Sequence, residues 1–200
     1  MDPRSRKDQL IASLIAGAMA GVAGLLTFLV IHHFWIRPIW FILPIGLVIA
    51  AIGGVALGWS YAELQAALPS RPWTFLALAA LIAAILAPSI LIGELRPALL
   101  NSSAITIEPG DGPRLVMHLL LELILPALLV GAVAGWFLGR TPQAALATAV
   151  AGGVFALGPG HNIPFLANTP AAGKGLILLL AVTLVGAAVL VEVNVWLLRR

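Results

Sequence analysis

The sequence predicts an all-α, polytopic integral membrane protein: a bundle of six transmembrane helices with the N- and C-termini in the cytoplasm. Hydrophobic residues make up 61% of the chain and charged residues only 10%, which excludes a water-soluble globular domain. Apolar runs of about 20 residues, the length that crosses a bilayer as a helix, recur along the chain. Lys and Arg stand mainly near the ends of these runs, which is typical of multi-pass membrane proteins.

The 200 residues are predicted to form a single transmembrane domain. Its first half contains three predicted spans. The first span, residues 9–31, carries small residues that favour close contact with another helix. The second, residues 39–59, contains Pro44 and is expected to end before a polar stretch. The third, residues 73–92, follows a short link and contains Pro88 near its end.

The second half begins with a predicted outer loop, residues 93–114, in which charged residues alternate with Gly and Pro. Three more spans follow at residues 115–138, 143–157 and 175–198. Because no segment is long and polar enough to fold separately, residues 1–200 are expected to form one membrane domain.

Small residues and prolines predict the packing and shape of the spans. Gly131, Gly135 and Gly139 recur every four residues, so they are expected to pack closely against a neighbouring helix. On a straight helix Gly131 points about 180° from Glu122, so the fourth span is expected to be central in the bundle, with neighbours on both sides. Proline removes a backbone hydrogen bond inside a helix, which predicts kinks. The three candidate positions are Pro44, Pro88 and Pro126.

The basic residues predict the orientation. With six spans, seven Lys and Arg residues fall on the side of the termini and four on the other side. The positive-inside rule then makes the terminal side cytoplasmic. The expected location is the cell membrane, as a multi-pass protein of a prokaryotic inner membrane. The expected partners are the lipid bilayer and membrane proteins or further copies of this chain, and no basic cluster suits a nucleic acid.

The fourth span contains ionisable groups within an apolar helix. His118 and Glu122 are four residues apart and therefore share one helix face. Pro126 has no N–H, so the carbonyl of Glu122 loses its helical hydrogen-bond donor. An unpaired charge in hydrocarbon costs about 2.5 to 3.5 kcal/mol, so this turn is expected to have a partner or a function.

Three further histidines extend this site to a candidate for a cation or metal ion. In the predicted topology His32, His33 and His161 fall near the same outer surface as His118 and Glu122. Neutral imidazole binds divalent transition metals, and a histidine of the first span could also pair with His118 as axial ligands of haem. The alternative is that the first-span histidines are interfacial, the last lies in a loop, and only His118 and Glu122 interact.

A second polar pair lies on the inner half of the last span. Glu192 and Asn194 are a possible inner relay for a proton or cation that has passed the outer site. The alternative is that Glu192 reaches the membrane surface and has no role in transport.

The function predicted from these residues is a transport or transport-accessory role for a cation or metal ion. One alternative is a non-catalytic membrane assembly subunit, whose polar residues only hold helices together. Another is a haem-binding or lipid-active membrane enzyme. No hydrolase elbow, zinc-protease motif or phosphate-binding loop is present, and the absence of cysteine excludes thiolate chemistry.

Overall fold

A computed structural model of the chain describes residues 6–35, 43–68, 72–84, 119–157 and 172–199. All regular structure in these ranges is helical, and no strand is present there, which confirms the all-α prediction. A π-helical turn, Leu119–Ile124, leads into the fourth helix. The helices are α1 (Arg6–Trp35), α2 (Leu43–Ala67), α3 (Pro72–Ala84), α4 (Leu125–Gly139), α5 (Pro142–Leu157) and α6 (Ala172–Arg199).

Three of these helices are long and apolar enough to cross a membrane. Within the described ranges they are Arg6–Ile31, Leu43–Ala67 and Ile177–Arg199. The apolar parts of α3, α4 and α5 are shorter than a full span as described. The chain is therefore a membrane protein by the length and composition of its first, second and last described helices.

The distribution of side chains is that of a bundle surrounded by an apolar solvent. Large aliphatic residues point outward, such as Ile15 on α1, Ile52 on α2 and Leu129 on α4. Small residues and a few polar ones fill the interior, where Ala16 and Ser13 are fully buried. In membranes, helix association depends on close packing of small residues, since lipid tails already accommodate the large ones.

Helices α1 and α2 form an antiparallel seam of small residues. Ser13 lies against Gly58, Gly17 against Gly54, and Gly21 against Ala50. A Cβ atom built on Gly17 would lie only 2.6 Å from the Cα of Gly58, closer than real Cβ contacts. The two backbones therefore approach to a distance that only glycine permits.

A second antiparallel seam joins α4 to α5. Gly131, Gly135 and Gly139 are all buried. They face Thr148 and Ala144 of α5. The hydroxyl of Thr148 donates to the carbonyl of Gly131 across the seam, at 2.6 Å, and lies 2.8 Å from the Ala144 carbonyl of its own helix. The glycine stripe leaves room for an interhelical hydrogen bond.

The central helix of the described bundle is α2, and the expectation that the fourth span is central was wrong. Helix α2 packs against α1, α4 and α5. It also shares core clusters with α3, through Leu57 with Leu78 and through Leu64 with Leu81. Helix α4 packs mainly on α5 and leaves Val133 exposed on its other face. The glycines of α4 show where α5 packs closely against it. They do not require a second neighbour on the opposite face.

Helix α2 also continues eight residues beyond the predicted end of the second span at residue 59, to Ala67. The polar residues that suggested its end belong inside the bundle, where Ser60 and Tyr61 are buried. The Ser60 hydroxyl donates to the Ala56 carbonyl one turn earlier, at 3.0 Å. A serine satisfied by its own helix does not stop that helix.

The helices alternate in direction, which collects charged side chains at one end of the bundle. We call this the charged end; it comprises the first turns of α1 and α5 and the last turns of α2, α4 and α6. Of the Lys and Arg side chains that the structure describes, all lie here: Arg6, Lys7, Arg140 and Arg199. His33 is exposed near the opposite end of α1.

Candidate functional site

Most of the predicted outer metal site lies outside the described residues. His118 and His161 are not described, and the side chains of His32 and Glu122 are also outside the description. His33 is exposed. Among the described residues no group of three or more His, Cys, Asp or Glu side chains could hold a metal ion. The joint metal or haem site therefore stays a prediction.

The backbone around Glu122 is described, and it departs from a regular α-helix. Residues Leu119–Ile124 form a π-helical turn directly before α4. Pro126 lies in the first turn of α4 and cannot donate a backbone hydrogen bond to the Glu122 carbonyl. Widening the turn is one way for a helix to accommodate this missing donor, and π-helical turns occur frequently at functional sites.

The π-helical turn is held against α5. A Cβ atom built on Gly153 would lie 2.9 Å from a methyl of Leu128 and 3.9 Å from a methyl of Ile124. Ile124 also packs on the buried pair Ala127 and Ala156. The turn that carries Glu122 is thus part of the packed α4–α5 unit.

Of the other two predicted kink positions, only Pro44 lies among the described residues. Pro44 lies in the first turn of α2 as described, where a proline interrupts no helical hydrogen bond of that segment. Pro88 lies outside the described residues.

A buried polar cluster, which we call the Asn194 cluster, links α1, α2 and α6. Asn194 and Ser13 are both fully buried. The side-chain amide of Asn194 donates to the Ser13 hydroxyl at 2.9 Å, and its carbonyl oxygen accepts from Gln65 at 3.3 Å. Both the donor and the acceptor of this asparagine are therefore occupied, as a buried amide requires.

The two residues of the predicted inner relay lie on different faces of α6. Glu192 is exposed, whereas Asn194 faces the interior. Residues two positions apart on a helix point about 200° away from each other, so if Asn194 faces inward, Glu192 faces outward. The structure does not bring Glu192 and Asn194 together.

The Asn194 cluster was only partly visible in the sequence. Ser13 continues the four-residue spacing of Gly17 and Gly21, which could have indicated its inward orientation. Gln65 was missed because the second span was predicted to end before it. A helix continued to residue 67 would have included Gln65, the half-buried amide that bonds to Asn194.

An open cleft of about 1020 Å³ lies at the charged end, between α1, α2 and the α4–α5 turn. The Arg6 guanidinium lies 3.7 Å from the carboxylate of Glu63, with 87% of the first side chain and 14% of the second exposed. An ion pair this exposed contributes little to stability. The polar residues that line the cleft are Arg6, Lys7, Gln9, Glu63, Thr141 and Gln143.

The turn between α4 and α5, beside this cleft, contains a helix cap and a left-handed residue. The Thr141 hydroxyl accepts a hydrogen bond from the backbone N–H of Ala144 at 3.1 Å and so caps α5. Arg140 adopts a left-handed conformation, with φ 54°, and its guanidinium lies 5.9 Å from the centre of the Phe137 ring. A single left-handed residue lets α4 and α5 reverse direction within two residues.

Comparison with known proteins adds no functional assignment. The sequence matches no protein-family model, and neither a curated protein nor a solved structure is significantly similar to it.

Proposed function

We propose that the chain is a small multi-pass membrane protein that moves a cation or metal ion, or assists a transporter that does so. In this proposal His118 and Glu122 form the outer binding pair, and the buried Asn194 cluster lies on the inner half of the path. The six predicted spans and cytoplasmic termini are part of the same proposal.

The observation that carries the proposal is the π-helical turn Leu119–Ile124. It contains the acidic residue of the fourth predicted span, and the following proline deprives the carbonyl of that residue of its usual donor. A carboxylate and a loosened carbonyl on one turn are hard oxygen ligands for a cation. An acid retained within an apolar span is expected to serve binding or proton transfer.

The proposed orientation is supported by the alternating direction of the helices. Helices α1 and α5 run away from the charged end, and α2, α4 and α6 run towards it, in keeping with alternating spans. Because Arg6, Lys7, Arg140 and Arg199 lie at that end, the positive-inside rule makes it cytoplasmic.

The test is ion flux into proteoliposomes that contain the purified protein, with protons and the divalent ions of manganese, iron, cobalt, nickel and zinc assayed one at a time. We expect uptake of at least one ion, and we expect Glu122→Gln to reduce it at least roughly tenfold, because losing a charged ligand from an apolar span is expected to cost more than about 1.4 kcal/mol. Equal flux with Glu122→Gln would contradict the proposed role of Glu122.

The matched control is Glu192→Gln, which removes the exposed carboxylate of α6. This variant has the same change in charge and is expected to keep the flux of the unmodified protein. Loss of flux in both variants would indicate a general effect of charge, and not a site at Glu122.

The Asn194 cluster favours a second candidate function, that of a non-transporting assembly subunit. Its amide bonds to both Ser13 and Gln65, and the seams between α1 and α2 and between α4 and α5 are closely packed. A subunit of this kind would carry no ion in proteoliposomes, and light scattering in detergent would give a protein mass above that of one chain.

A further inference from the structure

Two neighbouring cavities, which we together call the furrow, lie along α2 from the cleft at the charged end towards the middle of the bundle. Below the cleft lies an open apolar groove of about 440 Å³ between α1, α2 and α5. Leu10 lines both the cleft and the groove. On α2 the lining passes from Glu63 in the cleft to Trp59, Val55 and Ile52 in the groove, which are successive positions on one helix face.

The length of this furrow matches one leaflet of a bilayer. Glu63 and Ile52 are separated by a rise of about 16 Å at 1.5 Å per residue. One leaflet contributes half of the roughly 30 Å of hydrocarbon. A lipid whose head group occupies the cleft would therefore lay an acyl chain along the groove to the bilayer centre.

The chemistry changes along the furrow in the same way as it does along a phospholipid. The groove is lined by aliphatic side chains such as Leu14 and Val150. Trp59 lines the groove one helical turn from Glu63 of the cleft, and tryptophan is enriched at membrane–water interfaces. The cleft itself offers the cations Arg6 and Lys7 with the amides of Gln9 and Gln143.

The charge of the cleft selects an anionic head group. Arg6 and Lys7 contribute two positive charges and Glu63 one negative charge, so the lining has a net charge of about +1. Arg140 lies next to the lining residues Gly139 and Thr141 in sequence, but its guanidinium lies over the Phe137 ring and is not part of the lining. Asp8 is the nearest acidic residue in sequence, and it is not part of the described lining.

We propose that this furrow binds one anionic glycerophospholipid, with its phosphate between Arg6 and Lys7 and an acyl chain in the groove of Leu14, Ile52 and Val55. The bound lipid would cover the exposed apolar line between α1, α2 and α5. It would also fix the charged end at the membrane surface, because the phosphate and the basic residues attract each other there.

The head-group test compares lipids retained by the purified protein in native mass spectrometry, from mixed micelles with equal phosphatidylglycerol and phosphatidylcholine. We expect one phosphatidylglycerol per chain in preference to phosphatidylcholine. Replacing both basic residues, in Arg6→Ala with Lys7→Ala, should lower this preference at least roughly fivefold, the worth of one basic residue near an anionic surface.

The matched control is Arg199→Ala, which removes an exposed basic residue at the charged end but outside the furrow. It should leave the preference unchanged. An equal loss in the control, or no loss in the double variant, would overturn the proposal.

The acyl-chain test introduces a large side chain into the groove, where it should block the acyl chain. Ile52→Trp enlarges an exposed groove residue and should reduce retention of phosphatidylglycerol, whereas Val133→Trp enlarges an exposed residue of α4 outside the groove and should not. Thermal unfolding gives an independent measurement: phosphatidylglycerol should raise the midpoint and soluble glycerol phosphate should not. Equal stabilisation by glycerol phosphate would mean that a free phosphate is bound, and the lipid proposal would be wrong.

Discussion

Asn194 connects three helices through hydrogen bonds of its side chain. It is fully buried, its amide donates to Ser13 of α1, and its oxygen accepts from Gln65 of α2. In an apolar surrounding, removing one partner leaves the other unsatisfied, which costs more than the hydrogen bond contributes in water. This residue therefore sets how α1, α2 and α6 are aligned at the charged end.

The coupling between Asn194 and Ser13 can be measured with a double-mutant cycle. We expect Asn194→Ala and Ser13→Ala each to lower the free energy of unfolding in mixed micelles, with a coupling energy of about 0.6 to 1.7 kcal/mol, the range found for hydrogen bonds between membrane helices. As a control, Ser60→Ala combined with Asn194→Ala should give no coupling, because Ser60 bonds to its own helix. A coupling near zero for the first pair would contradict the structural role of the cluster.

At the scale of the helix, the backbones of α1 and α2 are in direct contact along their seam. The Cβ of a residue at position 54 would meet the carbonyl of Gly17, and it would lie 3.0 Å from the Cα of Ala18. Backbone atoms cannot move aside by changing rotamer. Any side chain at this position must therefore separate the helices.

Alanine substitution tests the seam. Gly54→Ala is expected to destabilise the protein by about 1 to 3 kcal/mol, the usual cost of overpacking. Gly24→Ala on α1 is the matched control outside the seam, because its Cβ would meet only a methyl of Val182 on α6 at 3.5 Å, an ordinary contact. The control should be neutral or slightly stabilising, since alanine is the better helix former. Similar unfolding free energies for the two variants would mean that the helices are not in close contact.

At the scale of the whole molecule, the alternating helices predict which side of the membrane each end of the bundle faces. The chain contains no cysteine, so a single introduced cysteine can be labelled without background. Ala67→Cys and Gln143→Cys lie at the charged end, and His33→Cys lies near the opposite end. We expect a membrane-impermeant thiol reagent to label the first two only from the cytoplasmic side and the last only from outside.

The pattern of labelling distinguishes two errors. If positions 67 and 143 were labelled from opposite sides, the shared charged end would be wrong. If both were labelled only from outside, the arrangement would hold and the orientation from the positive-inside rule would be reversed.

The all-helical class and the membrane location could be predicted from the sequence, because both follow from local properties. An apolar run such as that from Gln9 to Ile31 must satisfy its backbone hydrogen bonds within itself when it enters hydrocarbon, and only a helix does so. The four-residue spacing of the glycines in α4 likewise required no knowledge of the partner helix.

The partners were decided only by the tertiary structure. Periodicity shows that Gly135 lies on one face, but it does not reveal that Thr148 of α5 packs there or that α2 is the central helix. The same limit applies to Asn194, which is joined to Ser13 across 181 positions of the chain. Contacts between helices depend on how whole surfaces fit together, and the spacing of residues along one helix does not contain that information.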